Sequence, residues 1–453
     1  MCFELLDRKR LGPWLVSLLL VGLAAGGTGL GAWLPSQAAG DEPTRELPPR
    51  PLTLRGNDPL IRHALEALDR GRTIFRYDRF GSQAFFSGAL GLEEILGQVT
   101  PRQALALGVK VDAESLPRPI QQAVQQGAVD LDDPAVTRLL FRYSAVVGVV
   151  TRVEGEGLAD LGITCALCHS TVDDSVAPGI GRRLDGWPNR DLDVGAILAL
   201  APNVQPFVHL LGVDAETVRA VLRSWGPGRF DAHLNLDGQA FRPDGGSASV
   251  LIPPAFGLAG VNLSTYTGWG SVPYWNAFVG NLEMNGRGTF FDPRLEDPEQ
   301  FPVASGVGFA REDSAQDLVT SKLADLQFYQ LALAAPEPPA GSFDLDAARR
   351  GEDLFLGRAG CATCHVPPLY TEPGWNLHRP EEIGIDGFQA ERSPTGRYRT
   401  TPLAGLWTHT RGGFYHDGRF DTLAEVVEHY DRVFDLELSM AEQRDLVEFL
   451  KSL

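Results

Sequence analysis

Lysine is nearly missing from this chain. Only four of its 40 basic residues are lysines, against 58 acidic residues, and the formal charge is −18. That balance argues against nucleic acid as a natural partner, because a polyanion would be repelled. Methionine is scarce too, at three residues, and cysteine occurs five times. Past the N-terminal leader, no apolar run is long enough to cross a bilayer. A further absence is local: no histidine lies between Ser170 and Val208.

What cysteine there is falls into a pattern. Four of the five residues form two copies of one motif, Cys165-Ala-Leu-Cys168-His169 and Cys361-Ala-Thr-Cys364-His365; the fifth, Cys2, precedes the leader. C-x-x-C-H is the attachment sequence of c-type haem. Cys165 and Cys168, and likewise Cys361 and Cys364, reach the two vinyl groups of one porphyrin from a helical turn. His169 and His365 then supply the proximal imidazole. The alternatives are a shared four-cysteine zinc site or a pair of redox dithiols; a redox pair has no use for the histidine that follows both copies. Two covalently bound haems c are therefore expected. Arg182, Arg183 and Arg190, in the loop after the first motif, are candidate partners of the haem propionates, with solvated surface arginines as the bland alternative.

The N-terminus agrees. Arg8-Lys9-Arg10 precedes an apolar stretch over residues 11–34, and Ser36-Gln37-Ala38 offers small residues at a cleavage position. Haem c is attached outside the cytoplasmic membrane, so export to a periplasmic location is expected, with the leader either removed or kept as an anchor. The chain divides into a signal peptide (1–38), a proline-rich linker (39–59), an N-terminal haem domain enlarged by insertions (60–334), a second linker (335–341) and a compact cytochrome c domain (342–453). The expected class is mainly α, with two cytochrome-c-like haem domains.

Helices are predicted over 101–107, 133–150, 215–225 and 346–356, and a Gly/Pro-rich loop over 170–188. Thr422-x-x-Glu425 and Ser439-x-x-Glu442 are capping boxes, each opening an amphipathic helix. Gly351-x-x-x-Phe355 precedes the second haem motif, and Gly71-x-x-x-Phe75 repeats the spacing upstream of the first. In both, the glycine would let another helix pack closely.

The tail carries Arg399-Thr-Thr-Pro402-Leu-Ala-Gly-Leu406, then Phe414-Tyr-His-Asp-Gly418, then Thr422-Leu-Ala-Glu-Val-Val427. This resembles the di-haem cytochrome c peroxidase and MauG superfamily over roughly residues 347–453. The resemblance implies an exported peroxidase-type oxidoreductase whose first haem reacts with peroxide while the second relays electrons. A small cytochrome or a cupredoxin would be its redox partner, with hydrogen peroxide or dioxygen as oxidant. Two departures stand out. The histidine that typical peroxidases carry soon after the first motif is missing, and the long inter-haem segment resembles the di-haem rubber oxygenases instead. Calcium stays open, because Thr410-Arg-Gly-Gly413 stands where the family has Thr-x-Pro. A rubber-oxygenase-like dioxygenase, a MauG-like oxidant of a partner protein and a plain electron carrier are the rival readings.

Further site residues follow. The histidine gap implies an open sixth position on the first iron. His209, read as a core residue, and His233, read as solvated in a polar turn, are the remote alternatives. Gly280-Asn-Leu-Glu283-Met284 resembles the family's N-P-x-E-M, which implies Glu283 as the distal acid–base group; a surface glutamate is the alternative. Trp269 and Trp275 are candidate relays or cavity walls together with Phe290-Phe291, against ordinary core packing. On the helix after Thr422, Tyr430 is expected to face the core and His429 to lean toward solvent. In the resembling family the residue fourteen after the His-Asp-Gly histidine is the sixth ligand of the second haem, and this count from His416 reaches Tyr430. Peroxidases have methionine there and MauG has tyrosine. His416, His429 and Met440 are the alternatives.

Overall fold

The computed structural model describes residues 58–453 apart from Glu156. The expected signal peptide and nearly all of the first linker lie outside the described residues. The linker's last two positions belong to a helix: Asp58 accepts from the Leu60 amide at 2.8 Å and Pro59 opens the Pro59–Tyr77 helix. Proline suits that place because its missing N–H would have no helical partner there.

Ala67, Gly71 and Phe75, four residues apart, form the buried stripe of this helix. The stripe packs on the Leu323–Ala332 helix, and Gly71 is the point of contact: a Cβ there would sit 2.1 Å from the Asp325 carbonyl oxygen. The arrangement recurs at the C-terminus. A Cβ on Gly351, in the Leu345–Leu356 helix, would sit 2.0 Å from the carbonyl oxygen of Asp445, in the Met440–Lys451 helix. A fork from arginine to aspartate closes each crossing. Arg70 Nε and Nη2 donate to Asp325 at 2.6 and 3.1 Å, and Arg350 Nε and Nη2 to Asp445 at 2.8 and 2.7 Å.

Helices dominate, and the strands among the described residues form only two-stranded pairs. The longest pair is an antiparallel hairpin, Val149–Glu154 with Gly157–Ile163, which ends two residues before Cys165. The helix predicted over 133–150 covers only Pro134–Arg142. Ser144 and Gly148 take positive φ, and the β-branched run that follows enters the hairpin. The predicted 170–188 loop holds strands Ser170–Val172 and Arg183–Asp185, paired antiparallel. The remaining predicted helices stand close to expectation at Pro101–Ala106, Ala215–Arg223 and Leu345–Leu356, and both capping boxes form, at Leu423–Phe434 and Met440–Lys451.

The described residues of 58–453 make one compact unit. The 335–341 stretch runs within it, and Trp407 Nε1 donates to the Pro336 carbonyl at 2.9 Å. No helix among the described residues is long and apolar enough to cross a membrane.

Candidate functional site

The first motif sits on a short turn of helix, Ala166–His169, with both flanks pinned. Ahead of it, the Thr164 hydroxyl donates to the Arg76 carbonyl at 3.1 Å. Behind it, Asp185 gathers the Ser170 hydroxyl (2.8 Å), Arg76 Nε (2.5 Å) and the Tyr329 hydroxyl (2.5 Å). This one carboxylate thus ties the motif to both crossed helices. The His169 ring donates from Nδ1 to the Pro253 carbonyl at 3.2 Å. A carbonyl only accepts, so Nδ1 carries the proton and Nε2 keeps its lone pair, the state a metal ligand needs. His365 is set the same way, its Nδ1 donating to the Tyr370 carbonyl at 3.0 Å.

Cys165, Cys168 and His169 line a cavity of about 380 Å³ whose walls are mostly apolar. Glu283 and Trp275 line it too. Glu283 ends a π-helical turn, Val279–Glu283, that follows the Val272–Phe278 helix. Its Oε1 has no partner, and Oε2 accepts only a 3.4 Å bond from Asn235 Nδ2. Burial, and then the charge of Asp231, push this carboxyl well above the usual range.

Trp269 lies outside the cavity lining. It is buried in a cluster with Phe278, Phe290 and Phe301, its ring 5.0 Å from that of Trp275. The expected aromatic wall therefore reduces to Trp275. Strand alternation buries Phe290 in the same cluster and turns Phe291 out to solvent, at 56% exposure.

The three candidate arginines part company. Arg182 is exposed and paired with Asp173. Arg183 is buried with its Nε 3.1 Å from Asp112. Arg190 is buried, and none of its guanidinium nitrogens has a hydrogen-bond partner. Arg399, half-buried, lines the cavity with its Nε unpartnered, near the half-buried Tyr266. Buried orphan guanidinium groups fit a carboxylate-bearing ligand.

Both remote histidines need correction. His209 is exposed, since it falls on the outer side of the Gln205–Leu211 helix. His233 is buried at 6% exposure and lines the cavity, because the Asp231–Asp237 turn around it is neutralised by a buried Arg392 rather than by water. Sequence reading missed Arg392, Gln389 and Asp185 altogether; each acts through distant partners and belongs to no local motif.

Around the second motif, the turn is a 3-10 helix, Cys361–Thr363, placed directly after the Leu345–Leu356 helix. Tyr430 faces this motif. Burial raises its phenol above the usual value, opposed by Tyr415 and reinforced by the nearby Cys364 and Cys361. His429 does not lean toward solvent. It is buried, with Nε2 donating to the Ile383 carbonyl at 2.9 Å, because the Pro380–Ile383 turn covers that side of the helix. Met440 is 76% exposed, and His416 stacks on Tyr398 with its Nε2 unpartnered.

No family model matches the chain. Among curated proteins it is 28% identical over 234 residues to the methylamine utilization protein MauG of Methylorubrum extorquens, covering 44% of this chain and 63% of that one. It is also 28% identical over 147 residues to the cytochrome-c peroxidase IdrP2 of a Pseudomonas species, covering 23% and 39%. The chain thus spans less than two thirds of the length of these relatives. Among solved structures, a MauG-like protein associated with microbial copper homeostasis is 19% identical over 48% of this chain and 77% of that one, with a TM-score of 0.30. That score is too low to bear on fold or function. The free cysteines of both motifs, the preset proximal histidines and the orphan arginines all suit c-type haem, the cofactor class that these relatives imply. The sequence similarities and the tail motifs agree: this chain is a relative of the di-haem cytochrome c peroxidases and MauG.

Proposed function

We propose that the chain is an exported di-haem peroxidase, with a cytochrome-c-like haem region on either side of the 335–341 stretch. The observation that carries the reading is Glu283, a buried carboxyl with a free oxygen in the same cavity as Cys165, Cys168 and His169. Haem bound at the first motif supplies the chemistry of O–O bond cleavage. The chain's own part is to hold the iron from one side through His169, to keep water scarce with apolar walls, and to pass a proton at Glu283 Oε1. A raised pKa suits that task, because it brings the carboxyl closer to the working pH, where it can both give and take a proton.

The second region takes electrons from a small cytochrome or cupredoxin. His365 and Tyr430 are its proposed iron ligands, and a phenolate there lowers the potential relative to a methionine ligand. Calcium stays open, and at the 410–418 turn of the second region it would meet cationic groups. Positions equivalent to Cβ on Gly412 and Gly418 fall 3.8 Å from Arg190 Nη1 and 2.8 Å from Arg229 Nη2, and these are cationic surroundings. A porphyrin accounts for the apolar walls, so they do not by themselves favour a dioxygenase. EPR of the oxidised protein followed by peroxide titration tests the reading. One high-spin signal that responds to peroxide is expected, and two low-spin signals that ignore it would return the chain to the electron carriers. In Tyr430→Phe the second haem alone should change spin state or potential; an unchanged second haem removes Tyr430 from the ligand set.

A further inference from the structure

The proposed reaction makes no use of His233, yet the structure builds an elaborate seat for it. The ring is buried and lines the first cavity, and its Nε2 has no partner. The Gln389 side-chain amide nitrogen donates to Nδ1 at 3.3 Å. With Nδ1 accepting, the neutral ring carries its proton on Nε2, the nitrogen left free.

The backbone of the same turn is clamped from below. His233 N donates to Asp231 Oδ1 at 3.1 Å, and the buried Arg392 bridges Asp231 (3.1 Å) and Asp237 (2.7 Å). Arg392 also donates to the Ala248 and Gln239 carbonyls, so the guanidinium is fixed on every side. Two residues beyond His233, Asn235 holds Glu283. A single turn thus delivers one N–H and steadies one carboxylic acid in the same cavity. Burial, followed by the positive charge of Arg392, keeps the imidazole neutral, with its pKa lowered to about 3.

A buried N–H without an acceptor costs stability unless a ligand provides one. We propose that His233 is the distal hydrogen-bond donor of the first haem cavity, presenting Nε2–H to the small ligand taken up there, with Gln389 and Arg392 as its positioning residues. The proposal rests on the di-haem reading above. It assigns Glu283 and His233 different tasks: the acid moves a proton, whereas the imidazole orients and holds. It also differs from iron ligation, for which Nε2 would need a free lone pair.

Carbon monoxide and cyanide are suitable probes, read by infrared and optical spectroscopy of the holoprotein. In His233→Phe the C–O stretch of the ferrous carbonyl should rise, and cyanide should bind about five- to tenfold more weakly, the equivalent of one hydrogen bond. The second haem's spectrum should stay as it was. His233→Gln keeps a donor and should recover most of both effects. Gln389→Leu leaves the imidazole in place but frees its tautomer, and should shift or split the C–O band; this variant carries the test if His233→Phe takes up no haem. Spectra of His233→Phe and Gln389→Leu identical to wild type overturn the proposal while leaving the peroxidase reading intact. A low-spin first haem that turns high-spin in His233→Phe also overturns it, and makes His233 an iron ligand. If the wild-type first haem binds neither probe and no variant gains binding, the open-site reading fails and takes this proposal with it.

Discussion

The two helix crossings of this chain use the same contacts to close segments of very different length. Gly71 meets Asp325 and Gly351 meets Asp445; Phe75 packs on Tyr329 with ring centroids 5.6 Å apart, and Phe355 on Phe449 at 5.0 Å. The arginine–aspartate fork spans 255 residues in the first crossing and 95 in the second. Closing the longer segment costs about 0.9 kcal/mol more by the logarithmic dependence of loop entropy. The first crossing has a device that the second lacks: the Tyr329 hydroxyl, where the second has a phenyl ring, donates to Asp185 alongside Arg76 and Ser170. Hydrogen bonds of roughly 1 kcal/mol each are enough to offset the difference. A helix crossing fixed by one glycine therefore tolerates large insertions, and here the inserted chain contributes much of the wall of the cavity at the first motif.

The comparison breaks most completely if the motifs are unequal. Cys165→Ala with Cys168→Ala should remove one covalent haem and all peroxide reactivity. Cys361→Ala with Cys364→Ala should remove the other haem and leave peroxide binding. Haem per chain by pyridine haemochrome, with a peroxide difference spectrum, checks both.

Glu283→Gln should keep both haems and slow peroxide turnover by ~10²–10⁴-fold. Its stability should also report on pH. The folded-state pKa of Glu283 lies above the unfolded value. The unfolded chain therefore ionises first, and the folded state loses stability as pH rises above about 4.3. The glutamine variant should lack that loss and gain on wild type in denaturant midpoints as pH rises above about 4.3.

Gly71→Ala and Gly351→Ala should each destabilise by about 1–3 kcal/mol, because the new methyl meets a backbone oxygen that cannot give way. This outweighs the ~1 kcal/mol that alanine gains over glycine in an exposed helix. Similar losses in urea sharpen the comparison, and a silent change at one of the two positions breaks it. Arg70→Ala and Arg350→Ala should have the smallest effects, since both arginines are largely in water and such pairs contribute little. A fall in midpoint as large as that of the glycine variants would show that the forks, not the glycines, hold the crossings.

Much of this was legible in the sequence. The haem motifs, the capping boxes at Thr422 and Ser439 and the two glycine spacings are short-range signals with local physical causes. The helix that Gly71 packs against was not legible. In Leu323–Ala332, Leu326 and Tyr329 are buried while Phe328 is exposed, and apolar residues occur all round, so no single stripe marks it. His429 was misjudged because helical periodicity assumes one covered face, and the turn at Ile383 covers a second. His233 was misjudged because a polar neighbourhood reads as solvent. Its aspartates are instead satisfied by Arg392, 161 and 155 residues away. Glu283 came from a resemblance of five residues, and the structure sets it in the cavity beside the first motif.

The pinned setting of the first motif also favours a sequence of events in time. Burial pushes the Cys165 and Cys168 thiols up to about 12, so in the closed chain neither is a reactive thiolate. Thioether formation there is therefore easier before Gly71 docks on Asp325, and the docking helix is made more than 150 residues after the motif. All four motif cysteines keep partial access to solvent, and burial raises the second pair too, Cys361 to about 11 and Cys364 above its ordinary value. At both motifs, then, folding and thiol reactivity work against each other, which favours haem attachment before the helix crossings close.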